Sequence, residues 1–588
     1  MDPITAAGLG LSITSLVLQL FGGCIKGYEI FLDMVGMPAK FAHLLVRMQL
    51  ERTRLLNWGE KVGLLEEVLE QPSMTLHLHR NLIVDILFEI QRLFKESLLI
   101  QDKFASVGNL KEDRASPRTI DQASSQFQPK NNGALLEKAL KALKTAAEIP
   151  TRLQWALVKQ EKFEILVEKL ISYNNSIVSL LDRTTIQQIY DMQIQTQLTM
   201  LQVSSKVDDL KQLALAIQMQ THSSTPASVE IHIGSQSGPA RSHTDDAASF
   251  ARLTNFKAQQ INLDLESLND RPGPLDGELT SRDTRCATRS LALYGGQRVW
   301  IEWKEYDPDH QLVSWPQMIG ERVKKLAILL GIEDTPKEFR APRCLGYFQD
   351  ISEDAARYGL VYKIPPGLVE SEPMTLLDLI QQEGKPSLTR RIGLAHKISE
   401  SIIYLHAVNW LHKGVRSENI VFFAMPGQMP DLASPTISGF EYARPDLPEE
   451  LTEMPSEDFH HDIYRHPDAI GRAETRSRKS WDIYSLGVVL VEIAFWKSIA
   501  DIVGLHETQK GARSKLRRVR DTLLDDQFLR QIGAEVGEIY QGIVRRCIEG
   551  GMDLGIPDGA DEAVPETGAE LQRVFSQAVV QSFHSIRL

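Results

Sequence analysis

Cysteine is scarce and scattered. The 588 residues contain four, Cys24, Cys286, Cys344 and Cys547, with no Cys-x-x-Cys pair among them. That spacing excludes a zinc finger or ribbon and a disulfide framework, and it suits a reducing cytosol. An excess of positive charge is missing too. With 65 Lys and Arg against 77 Asp and Glu, the formal charge is −12. The chain therefore lacks the basic surface that displaces counterions from phosphates, which excludes a general nucleic-acid binder. Long uncharged apolar runs are absent with one exception, residues 4–23, which open with Ile4 and close with Gly23 (ITAAGLGLSITSLVLQLFGG). The run is about long enough to cross a bilayer as a helix. It has no basic residue before it and follows Asp2, so it does not read as a secretory signal. In the resting state the same residues read as a buried helix of a bundle.

A chain of this length calls for two to four domains. Up to about residue 220 apolar residues recur at helical steps, through Phe41, Leu44, Leu45 and Met48, then Leu82, Ile83, Ile86 and Ile90, then Phe163, Ile165, Leu166 and Leu170. A helical bundle over residues 1–220 buries those stripes. Residues 111–133 read as a long loop, and a last, thinner helix is expected over about 185–217. Residues 221–285 turn to Ser, Thr, Gly, Pro and Asp and read as a disordered or partly ordered linker. Within it residues 229–238, from Val229 to Gly238 (VEIHIGSQSG), alternate like a short strand. The bland reading is an edge strand or plain linker; the other is a nucleus for cross-β stacking.

Residues 286–588 change to short strands followed by helices. Residues 411–423 (LHKGVRSENIVFF) contain His412 and Asn419 with Gly414 between them. The segment is similar to the catalytic loop of eukaryotic protein kinases, in which His-Arg-Asp precedes an Asn. The resemblance implies a base at position 414 and a metal ligand at Asn419. Glycine has no side chain for the first role. Ser438, in ISGFE, stands where the metal-binding Asp of that family belongs, and a hydroxyl supplies no full negative charge. By the same resemblance Gly295, Gly296 and Val299 mark the phosphate-covering loop and Lys304 the ATP-pairing lysine. Glu321 is its candidate partner, with Arg322 as the alternative register, and Tyr362 lies at the back of the nucleotide pocket. His466-Pro-Asp468 and Arg545 or Arg546 are expected to form a buried anchoring ion pair. Asp482, in WDIYSLG, is expected to bond the loop backbone.

The opening residues, together with the Leu55-Leu-Asn-Trp58-Gly59 segment, look like the HeLo domain of filamentous fungi, the helical module of prion-inhibition and cell-death proteins. In that family the first apolar helix enters the membrane on oligomerisation, which would make residues 4–23 the inserting segment. The 229–238 strand faintly resembles amyloid signalling motifs found beside such domains.

The expected architecture is thus multidomain, an all-α HeLo-like bundle followed by an α+β bilobal kinase-like fold. Its function class is cell-death or heterokaryon-incompatibility signalling, with an effector bundle controlled by a pseudokinase. An active divergent Ser/Thr kinase and a non-enzymatic scaffold are the alternatives. Partners are other proteins and further copies of the chain, with a membrane on activation and no nucleic acid. ATP stands as a weak ligand through Lys304 and Asn419, and magnesium as a doubtful one.

Overall fold

The computed structural model describes residues 13–34, 36–65, 74–105, 160–223, 243–262, 275, 280–286, 289–306, 315–351, 356–368, 372–382, 384–425, 427–445, 458–470, 477–507, 512–557 and 560–586. The strand expected at 229–238, the loop at 111–133 and the first part of the apolar run lie outside these residues. Two compact units are present. One takes residues 1–200 and 208–251, the other 201–207 and 252–588.

The first unit is built on α1 (Ile13–Leu32), α2 (Ala42–Lys61), α3 (Arg80–Ala105) and α4 (Gln160–Val178). Phe21, Tyr28, Phe31, Trp58, Phe94 and Phe163 share one core. Small residues on α1 let α3 approach closely. A Cβ added to Gly23 would lie 1.8 Å from Gln91 Nε2, and one on Gly27 would lie 2.3 Å from the Phe94 ring. The space so created is used, because Gln91 Nε2 donates to the Leu20 carbonyl at 2.9 Å. Leu82 and Ile165, counted above in apolar stripes, are exposed.

The helix that contains the end of the apolar run continues beyond Gly23 to Leu32 and takes in Lys26 and Glu29. Among the described residues no helix is long and apolar enough to cross a membrane. A polar tie joins three helices of the core. Asn174 of α4 donates to Tyr28 Oη of α1 at 3.1 Å, to the Glu51 carbonyl of α2 at 3.0 Å and to Glu51 Oε2 at 2.8 Å. Glu51 is fully buried, and the Arg54 guanidinium also lies 3.9 Å from its Oε2.

The single thin helix expected over 185–217 is two helices, α5 (Arg183–Val203) and α6 (Val207–Ser223). Ser204 and Ser205 sit at the break, where serine hydroxyls compete for backbone groups, and Asp208 and Asp209 suit the start of α6. The expected linker also holds order. Helix α7 (His243–Ile261) buries Phe250, Leu253 and Phe256, and β1 (Thr280–Cys286) follows. Its apolar residues are spaced for a helix, but the Ser- and Asp-rich sequence around them hid the pattern.

In the second unit β1, β2 (Arg289–Tyr294), β3 (Gln297–Glu305), β4 (Cys344–Ile351) and β5 (Ala356–Lys363) form an antiparallel sheet in the order β1-β2-β3-β5-β4. Helix α8 (Trp315–Leu330) packs on β4 and β5. Then come β6 (Glu372–Thr375), α9 (Leu388–Ala407), β7 (Trp410–Leu411), β8 (Ile420–Ala424), β9 (Thr436–Ile437) and β10 (Arg444–Pro445). Strands β6, β8 and β9 make a small sheet, and β7 pairs with β10. Helix α10 (Lys479–Phe495) is buried on nearly all sides, as its almost unbroken apolar sequence requires, among α9, α11 (Asp526–Val536) and α12 (Glu538–Glu549).

Replacing Asn174 by Ala removes an amide donor from the buried Glu51 carboxylate and another from its carbonyl. Urea unfolding of the Asn174→Ala protein is expected to show a loss of about 2–4 kcal/mol, and a change below about 0.5 kcal/mol would show that the tie is not stabilising.

Candidate functional site

Asp482, in the first turn of α10, organises the loop that follows β7. Its Oδ2 accepts from His412 N and its Oδ1 from Lys413 N, both at 2.8 Å, and His406 Nε2 lies 3.3 Å from Oδ2. Burial opposes its ionisation, but the contacts from His406 and His412 hold the carboxyl below its ordinary value. This carboxylate keeps Lys413 in the left-handed region, at φ 62°, a conformation that costs a non-glycine residue about 1–2 kcal/mol.

Gly414 leaves little room where a base is expected. A Cβ there would lie 3.0 Å from the Gly439 carbonyl oxygen and 3.2 Å from Asn419 Nδ2. Asn419 Nδ2 donates to the Gly414 carbonyl at 2.7 Å, which closes the loop on itself. The His412 ring is buried 4.7 Å from the Phe440 ring, and burial pushes its pKa down.

The centre of the site is a residue that the motifs did not single out. Arg289, at the start of β2, donates through Nε to Glu302 Oε1 at 3.0 Å and through Nη1 to the Glu418 carbonyl at 2.6 Å. Its Nη2 reaches Asn419 Oδ1 at 2.6 Å and Ser438 Oγ at 2.9 Å. The side chain thus bonds both positions at which the kinase resemblance expects metal ligands. Glu302 in turn accepts from Gly439 N at 3.1 and 3.2 Å. Gly439 has φ 80°, and a Cβ on it would collide with the Asn419 side chain at 2.0 Å, so no other residue fits here.

Further ion pairs flank this centre. Arg416 faces Glu418 at 3.2 Å and Glu441 at 3.6 Å, and His461 lies 3.5 Å from Glu418. Although burial works against it, the His461 contact and Arg416 hold Glu418 down to about 2. Glu441 is likewise held low against its burial, chiefly by Arg416. Lys304 is buried, and its Nζ donates to the Glu441 carbonyl at 2.6 Å and lies 4.6 Å from the Tyr442 ring centre. Glu321 is exposed. Tyr362 is fully buried, its ring 5.2 Å from Trp300, and Trp300 packs edge-on to Phe423 of β8 at 5.8 Å.

Other expected residues are not brought in. Gly295 and Gly296, at φ 54° and 77°, form a two-residue hairpin turn closed by the pair Tyr294 and Gln297. Positive φ at both positions is what such a turn demands. Val299 is a core residue of the sheet. Asp468 is 64% exposed beside His466, and Arg545 is 57% exposed with Asp553 at 3.9 Å. The buried ion pair expected between Asp468 and Arg545 or Arg546 is not formed among the described residues, since Asp468 itself is exposed. Asp468 and Arg545 each lie at the solvent boundary with a separate neighbour.

A buried carboxyl connects the loop to α10. Glu492 Oε1 accepts from Tyr464 Oη and from Ile499 N, both at 2.8 Å, and Tyr464 Oη is 2.8 Å from Ser417 Oγ. Burial pushes Glu492 up to about 7. A carboxyl raised in the folded state contributes stability below its unfolded pKa and loses it as pH rises through the folded value. Stability is therefore expected to fall between about pH 4.5 and 7 by roughly 3 kcal/mol from this group. The Glu492→Gln protein, followed by denaturant titration across that range, is expected to lack the decline. An unchanged pH profile would assign the decline to other groups.

Two family matches complete the description of these units. No curated protein matches the chain. Residues 365–582, which include the loop, Asn419, Ser438 and Asp482, match a domain family of unknown function (DUF7580). That match carries no activity with it, and the kinase resemblance rests on the motifs. Residues 8–213, which take in the helical core of the first unit, match the HeLo family, described as prion-inhibition and propagation.

Proposed function

We propose that the chain is a signalling protein of the fungal cell-death or heterokaryon-incompatibility type, in which a HeLo-like bundle is the effector and a kinase-derived, non-catalytic unit controls it. The HeLo match supports the first half of this reading. The five-stranded sheet, with α8 between β3 and β4 and the helix-rich part after it, supports a kinase-like origin for the second. Protein partners and self-association are the contacts such a protein uses. A membrane is the proposed destination of the bundle on activation.

One observation carries the non-catalytic reading, namely the bonding of Arg289 to both Asn419 and Ser438. Phosphoryl transfer from a nucleotide needs a divalent cation on the phosphates and a group that receives the hydroxyl proton. We read this donor set as unsuited to magnesium. Ser438 supplies no carboxylate, the Asn419 oxygen already accepts from Arg289, and a fixed guanidinium repels a second cation. Position 414 has no proton acceptor.

The test is a thermal-shift titration of the full chain with ATP, with and without magnesium, run beside a phosphate-release assay. A ligand that binds the native state raises Tm with its concentration. The expected outcome is no magnesium-dependent shift and no release above background. A shift that requires magnesium, accompanied by turnover, would favour the active divergent kinase instead.

A further inference from the structure

Two adjacent residues of α7, Phe256 and Lys257, are buried at 1% and 2% exposure; Phe256 packs on Trp410 at the entry to the loop, and Lys257 shares the Gln202 carbonyl with Asn409, the neighbour of Trp410. The Phe256 ring packs edge-on to Phe339 at 5.0 Å and lies 5.1 Å from Trp410. Trp410 is 5.5 Å from Phe440, and Phe440 is 4.7 Å from His412. A continuous file of rings thus runs from α7 to the segment that contains Ser438 and Gly439. Lys257 Nζ donates to the carbonyls of Leu201 and Gln202 at 2.6 and 2.8 Å. The Gln202 carbonyl also accepts from Asn409 Nδ2 at 3.0 Å, and Asn409 Oδ1 accepts from Lys479 Nζ at 2.7 Å.

This junction differs from ordinary core in what it buries. Two lysines lie close together out of solvent, and burial, followed by Lys479, pushes the Lys257 pKa well down. Gln202 Oε1, Gln260 Oε1 and Trp410 Nε1 are buried without a hydrogen-bond partner among the described residues. Unsatisfied groups of this kind weaken the surface that contains them. Asn409, just past the end of α9, takes φ 57°, a left-handed conformation that asparagine adopts more readily than most residues. The seat is occupied, and its unpaired groups weaken it.

We propose that α7 is a built-in latch on the site. With Phe256 and Lys257 seated, Asn409 and Trp410 are fixed, and through Phe440 and His412 the closed arrangement of Arg289, Asn419 and Ser438 is kept. Withdrawal of α7 frees the β7-to-loop segment. This deepens the reading of the site as closed and non-catalytic and rests on it.

Hydrogen–deuterium exchange of the full chain tests the latch, because local opening is read segment by segment. Phe256→Ala is expected to raise exchange at least tenfold in residues 409–415 and 437–441 and to leave residues 526–549 within twofold of the wild type. Lys257→Ala is expected to do the same for 409–415. Phe256→Leu, which keeps most of the volume, should fall between Phe256→Ala and wild type, and it carries the test together with Lys257→Ala if Phe256→Ala does not fold. Unchanged exchange at 409–415 would overturn the proposal. So would a rise of equal size in 526–549, which would make Phe256 a plain core residue. Phosphate release from ATP by the same wild-type preparation is a separate readout. Turnover there would sink the non-catalytic reading whatever the exchange data show.

Discussion

Everything around the loop depends on one fixed positive charge. Arg289 is bonded to the Glu302 carboxylate, the Glu418 carbonyl, the Asn419 amide oxygen and the Ser438 hydroxyl. Those partners come from the sheet, the loop and the segment after β9, so a single guanidinium ties all three together. Its planar array of donors suits this work better than the compact ammonium of a lysine. Arg416, with Glu418 and Glu441, supplies a second pair beside it. The charges of this interior are paired off against one another.

The first unit solves a similar problem on a smaller scale. Glu51 is buried in the bundle, and the Asn174 amide bonds it and Tyr28 together. Both units place a polar tie where several elements meet. Such ties set which surfaces face one another more than they add net stability.

Part of this was legible beforehand. The Gly295-Gly296 pair announces a two-residue hairpin, and counting five residues outward from Tyr294 and Gln297 arrives at Arg289 and Glu302, which are opposed in the register. The Arg289–Glu302 pair could therefore have been read from the sequence, although the motif search passed over it. The role of Asp482 toward the loop backbone was legible because its motif fixes its place in α10. What could not be read was distant pairing. Nothing in the sequence says that Asn419 and Ser438 converge on one arginine, or that Asp468 and Arg545 stay apart. The order in the linker was hidden for a local reason. Strand β1 is a polar edge strand with irregular register, and α7 shows its apolar face only through a few residues.

The narrow space at Gly414 has a consequence for what that position can accept. Glycine and aspartate codons can differ by a single base, so an aspartate at 414 is within reach of one mutation. Here the atom that a larger side chain would meet first is the Gly439 carbonyl oxygen, which is main chain, and Gly439 is fixed by its positive φ and by Glu302. An aspartate would press on that peptide, and a shift of a few tenths of an ångström there would be felt at Asn419, which bonds the Gly414 carbonyl. The packing around Gly414 thus holds the position to glycine more firmly than the genetic code does.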